Sequence, residues 1–132
     1  MEESKLKYSL SLFESANHRL LEALEVEVRG ENDLAIDGSI QRFEFTFEMS
    51  WKTLKRFLSH KGIEAKTPRD CFQEAFKLGW LAEGDTLWTA MIDDRNRTSH
   101  TYDRKIAQNV YGSLVPYARA YSALIDRLGK EI

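Results

Sequence analysis

The segment DDRNRTSHTYD, residues 93–103, packs three acids, two arginines, an amide, three aliphatic hydroxyls, a histidine and a tyrosine into eleven positions, with no aliphatic side chain among them. Arg95 is a permanent, forked cation whose geometry suits phosphate oxygens. His100 can give or take a proton near neutral pH. Together they supply what metal-independent RNA cleavage requires. A base takes the proton of the ribose 2′-hydroxyl, an acid protonates the leaving oxygen, and a cation stabilises the charged phosphorane. Asn96 and Tyr102 add neutral hydrogen-bonding groups that would orient a substrate. The same run also reads as a solvated turn capping two helices, and R-x4-H is a weak pattern by itself.

Position decides between these readings. On a continuous helix, residues five apart lie about 140° apart around the axis. Arg95 and His100 converge only if the helix stops near Arg97 and leaves His100 in the turn beyond. Alternatively, the pair on one chain faces the same pair on a second chain.

The flanking elements are helical, because apolar residues recur at 3–4 spacing almost throughout. A first helix is expected from about Glu3 to Val28, with Leu6, Leu10, Phe13, Leu20 and Leu24 on one stripe. RGENDLAIDGS (29–39) reads as a polar break. A second long helix follows, with Ile40, Phe43, Phe47, Trp51, Leu54 and Leu58 as its stripe and Gly62 after its basic end. A short third helix has Thr67 as N-cap, Pro68 at its first position and Gly79 as its stop. Asp85 is expected to cap a fourth helix that buries Leu87, Trp88, Met91 and Ile92. Asp103 caps a long closing helix running through Ile106, Val110, Leu114, Tyr121, Leu124 and Leu128, which Pro116 should kink. The fold class is all-α: an up-down bundle of about five helices forming one domain over 1–132.

On the second helix, Glu48 and Lys52 are one turn apart, as are Glu44 and Glu48. Such a Glu→Lys pair contributes about 0.2–0.5 kcal/mol of helix support, or else E-x3-K lines a cleft and orients Arg95. Lys52, Lys55, Arg56, His60 and Lys61 form the densest basic run, either a solvated face or a surface for RNA or an acidic partner. Asp93 and Asp94 either position Arg95 or His100 or lie in solvent. His18 and His60 read as surface residues, and Trp51, Trp80 and Trp88 as core or dimer seam.

Composition narrows the classes. Nineteen basic against 21 acidic residues give a formal charge of −2, so nucleic acid must be met by a local cluster. No apolar run approaches the roughly 20 residues of a membrane span, and MEESKLKYSL has no signal-peptide core, so a cytosolic protein without membrane contact is expected. The single cysteine, Cys71, excludes an internal disulfide. No metal-ligand spacing is convincing, no glycine-rich phosphate loop is present, and no cofactor is expected.

RNRTSHTYD resembles the R-N-x3-H-x-Y signature of the HEPN superfamily, in particular its nucleotidyltransferase substrate-binding branch. RFEFTFEMSWKTLK (42–55), TPRDCFQEAF (67–76) and MIDDRNRTSHTYD (91–103) are similar to that branch in order and spacing, so the likeness spans roughly residues 5–130. The resemblance implies a HEPN-like bundle acting as a homodimer, with Arg95 and His100 as ribonuclease residues in the dimer cleft and Asn96 beside them. It implies a minimal nucleotidyltransferase partner that, with ATP and magnesium, adenylylates Tyr102 and silences a toxin. It equally implies a noncatalytic subunit that binds nucleotide or substrate for that transferase.

Overall fold

A computed structural model describes residues 2–26, 33–82 and 84–132. The described residues form six α-helices and one 3-10 turn: α1 (Glu2–Leu24), α2 (Asp33–His60), α3 (Pro68–Lys77), α4 (Asp85–Arg97), the 3-10 turn Thr98–His100, α5 (Arg104–Tyr111) and α6 (Leu114–Gly129). The all-α expectation holds. The expected stripes are the ones that meet: Leu6, Leu10, Phe13 and Leu20 of α1, Phe43, Phe47 and Leu54 of α2, and Leu114, Leu124 and Leu128 of α6 are all buried. Aromatic rings knit the layers together. Phe13 meets Tyr121 edge-on at 5.7 Å, Phe43 stacks on Tyr117 at 5.6 Å, and Trp88 sits 4.8 Å from Phe72 and 5.7 Å from Tyr121. Such pairs add roughly 0.5–1.5 kcal/mol each beyond the area they bury.

Several helix ends follow the local chemistry. The Thr67 hydroxyl accepts the Asp70 N–H at 3.1 Å, with Pro68 opening α3. Gly62 (φ 81°) follows α2, and the Ile63 N–H returns to the Leu58 carbonyl at 2.9 Å. This left-handed close is cheap for glycine. The Asp103 carboxylate accepts the Lys105 N–H at 2.9 Å at the start of α5.

Four expectations need correction. α1 ends at Leu24 and turns at Glu25–Val26; Val28 lies outside the described residues. α2 starts at Asp33, inside the stretch read as a break, because Ile36 and Ile40 are buried there. Arg104 also ties that end down, 2.7 Å from Asp33 and 3.2 Å from Asp37. The N-cap of α4 is Gly84 (φ 76°), and Asp85 is its first residue; the Asp85 side chain lies outside the described set. Finally, the closing helix is two helices. A proline lacks the N–H that would reach the carbonyl four residues back, and its ring clashes with that carbonyl. Four residues before Pro116 is Gly112, the C-cap of α5, and Pro116 falls in the first turn of α6.

Candidate functional site

α4 stops where convergence requires. Its last residue is Arg97, and the 3-10 turn Thr98–His100 carries the chain on before α5 starts at Arg104. Tighter winding with i→i+3 bonds is a common way for an α-helix to end. Hydroxyls drive it here: Thr98 Oγ1 donates to the Arg95 carbonyl at 2.7 Å, Ser99 to Asn96 at 3.2 Å, and Thr101 to Thr98 at 3.1 Å.

Arg95 points back across α2. Its Nη1 donates to Thr98 Oγ1 at 3.0 Å and lies 3.5 Å from Glu44 Oε2, while Nε is 3.8 Å from Glu48 Oε1. With 30% of its side chain exposed, the guanidinium is held by two carboxylates yet still reaches solvent. Glu48 is shared. It accepts from Trp51 Nε1 at 3.2 Å and lies 3.7 Å from Lys52 Nζ. Of the E-x3-K pair, Glu48 contacts Arg95, with Glu44 beside it, whereas Lys52 reaches only Glu48.

His100 and Tyr102 form a second group on the surface. His100 Nδ1 and the Tyr102 hydroxyl are 3.3 Å apart, their rings meet at 76°, and Tyr102 is 81% exposed. No hydrogen bond or ion pair joins Arg95 to His100 among the described residues. Asn96 and Asp93 are exposed. Asp93 touches neither Arg95 nor His100 through such a contact; the acid with a structural task is its neighbour.

That neighbour, Asp94, is buried. It accepts from the Tyr117 hydroxyl of α6 at 2.5 Å and from Arg97 at 3.2 Å, and Arg97 also donates to Asn109 of α5 at 2.8 Å. Burial and the Asp94 carboxylate raise the Tyr117 phenol well above its ordinary pKa, so it stays a proton donor. This network clamps the last turn of α4 to α5 and α6 beneath Arg95 and His100. Sequence reading missed it, because Tyr117 lies 23 residues from Asp94 and looks like one more core aromatic.

Other groups fall away from the site. Cys71 is fully buried, and burial pushes its thiol up to about 11, so it is no nucleophile. His18 is an exposed partner of Glu22, and His60 is exposed at the end of α2. Trp80 and Trp88 are core residues and Trp51 is half-buried. Among the described residues no three His, Cys, Asp or Glu converge on a metal-sized point, and no helix is long and apolar enough to cross a membrane.

The sequence model of the family described as "Nucleotidyltransferase substrate binding protein like" matches residues 8–130. The chain belongs to this family. A Haemophilus influenzae member, named "Probable ribonuclease HepT", is 37% identical over 101 residues, 73% of this chain and 68% of that protein. A crystal structure from Thermus thermophilus superposes with TM-score 0.81 at 35% identity, covering 88% of this chain and 98% of the other. A second structure, from Haemophilus influenzae, is described as revealing the fold of a substrate binding domain of a nucleotidyltransferase. It superposes with TM-score 0.79 at 30% identity, covering 90% and 98% of the two chains. The HEPN-type resemblance read from residues 42–55, 67–76 and 91–103 thus falls inside a nucleotidyltransferase substrate-binding-like family match that takes in the whole Arg95–His100 region.

Proposed function

We propose that this chain is a metal-independent endoribonuclease, a toxin that works in the cytosol as a homodimer. Its partner is a minimal nucleotidyltransferase that silences it by adenylylating Tyr102. The observation that carries the reading is the end of α4 at Arg97, which leaves His100 exposed in the turn beyond a tethered, solvent-reaching Arg95. The relative named as a probable ribonuclease supports it.

In the dimer, one His100 takes the 2′-hydroxyl proton as that oxygen attacks phosphorus. The other returns a proton to the departing 5′ oxygen. Arg95 balances the extra charge on the phosphorane. Glu44 and Glu48 hold the guanidinium in place, Lys52 offsets the charge of Glu48, and Asn96 orients the substrate.

Cleavage should leave a 2′,3′-cyclic phosphate and survive a chelator, and a 2′-O-methyl group at the cut should block it. His100→Ala and Arg95→Ala should each lower the rate by at least about 100-fold, the scale of one general acid–base or electrostatic group, while circular dichroism stays unchanged. Full cleavage by His100→Ala would rule out its catalytic role.

A second reading is a noncatalytic subunit that binds nucleotide or substrate for the transferase. The description of the Haemophilus structure as a substrate binding domain favours it. Nucleotide binding by a wild type that cuts no RNA would select it.

A further inference from the structure

An open depression of mixed polar and apolar lining, outside the Arg95–His100 cluster, lies where the start of α1 packs against the second half of α2. It encloses about 540 Å³ and is lined by Lys5, Tyr8, Ser9, Leu12 and Arg56. Its floor is pinned across the seam by the Ser9 and Thr53 hydroxyls, 2.9 Å apart. Tyr8 stands on its wall 67% exposed, an aromatic ring with no packing duty equal to its size.

The cations around it are available. Among the described residues Lys5 and Arg56 take part in no ion pair, whereas Lys7 leans on Glu3 at 3.9 Å and Lys61 on Glu131 at 3.1 Å. Arg56 follows Lys52 by one helical turn and Glu48 by two. It therefore lies roughly 12 Å along α2 from the residue that holds Arg95. Lys5 and Arg56 set two cations beside Tyr8, and Lys52, which shares Glu48 with the Arg95 cluster at 3.7 Å, lies one turn from Arg56 on the way to that cluster. Cations spaced along a groove that ends on an exposed aromatic face match what binds a single strand. The cations track the backbone, and the ring stacks on a base of any identity.

We propose that the depression of Lys5, Tyr8 and Arg56, continued by Lys52, is the track that holds single-stranded RNA a few nucleotides away from the cleavage point. This deepens the ribonuclease reading and rests on it for the identity of the ligand. The substrate class it implies is unpaired RNA several nucleotides long. A duplex would keep its bases stacked inside and could offer none to Tyr8.

The test uses a fluorescein-labelled, fully 2′-O-methylated 12-nucleotide single-stranded RNA, which cannot be cut, titrated with full-length protein in an anisotropy assay over a salt series. Tyr8→Ala should weaken binding by roughly 5- to 150-fold, the range for loss of one stacked base. The Lys5→Ala/Arg56→Ala variant should weaken it and flatten the slope of log K against log salt by about 1.4, for two phosphates lost at about 0.7 each. Lys77→Ala, which removes an exposed cation on α3, should match wild type. Circular dichroism checks that each variant is folded.

An unlabelled RNA of the same sequence with ordinary riboses is assayed for cleavage in parallel. Weakened binding with the flattened slope supports the track even if that RNA is not cut, a result that counts against the nuclease reading alone. Binding that Tyr8→Ala and the double variant leave unchanged overturns the track, whether or not the wild type cleaves. Absence of any binding to the strand overturns it too.

Discussion

Arg95 and Arg97 are the same residue type two positions apart, and the structure gives them opposite work. Arg97 is spent on Asp94 and Asn109, while Arg95 is held by carboxylates with part of its fork in solvent. Nothing in the local sequence separates them, because the partners that tell them apart come from α2 for Arg95 and from α5 for Arg97. Tyr102 and Tyr117 divide the same way. Tyr102 is exposed beside His100, where AMP would put a phosphodiester and a bulky base over the site. Co-expression with the nucleotidyltransferase should add AMP increments to the intact mass of wild type and none to Tyr102→Phe; a modified Phe variant would move the switch elsewhere. Tyr117 is buried against Asp94, and Tyr117→Phe leaves that carboxylate oxygen without its donor. An unsatisfied buried acceptor costs about 1–3 kcal/mol, so the urea midpoint should fall with unchanged helicity. A coincident unfolding curve would mean that the bond contributes nothing.

Among the elements, the amphipathic stripes and the Thr67, Gly62 and Asp103 ends were legible because each rests on contacts within a few residues. The same holds for the stop at Arg97, expected only as the condition for a site and met through hydroxyl-to-carbonyl bonds three residues long. What was not legible depended on distant partners or on geometry one turn away. The first turns of α2 are polar in sequence, and Arg104, some 70 residues on, helps hold them. Pro116 suggested a kink, yet its effect falls four residues back, at Gly112. Gly112 itself has an ordinary helical φ of −62°, and a Cβ there would meet its nearest neighbour, the Gln108 carbonyl, at 3.5 Å. The break therefore belongs to the proline and not to glycine's freedom. Gly112→Ala should stabilise the fold by about 0.4–1 kcal/mol by restricting the unfolded chain. A lower melting temperature would instead show that the α5–α6 junction needs glycine.

At the scale of the whole molecule, the proposed site is incomplete in a single chain. One protomer offers one Arg95, and His100 and Tyr102 lie on an open surface, so little excludes water from a bound phosphate. A twofold partner would double the cation and narrow the cleft. Exposed aromatic residues are the natural candidates for such a seam. Tyr117 and Tyr121 of the closing helix are used up inside the protomer, at 2% and 0% exposure. Phe45 of α2 is 54% exposed, one turn from Glu48, and shares an apolar hollow with Leu12 and Met49. An exposed aromatic beside other apolar side chains is the composition that interface centres favour. The dimer should therefore close over Phe45, with the two copies of the motif flanking it. Light scattering should give twice the 15.3 kDa chain mass for wild type. Phe45→Glu, a change on an exposed helix face, should give the single-chain mass with unchanged helicity, and should lose RNA cleavage although Arg95 and His100 are intact. A monomeric wild type would remove the composite site. A dimeric Phe45→Glu would leave the composite site possible but move the seam off this face of α2.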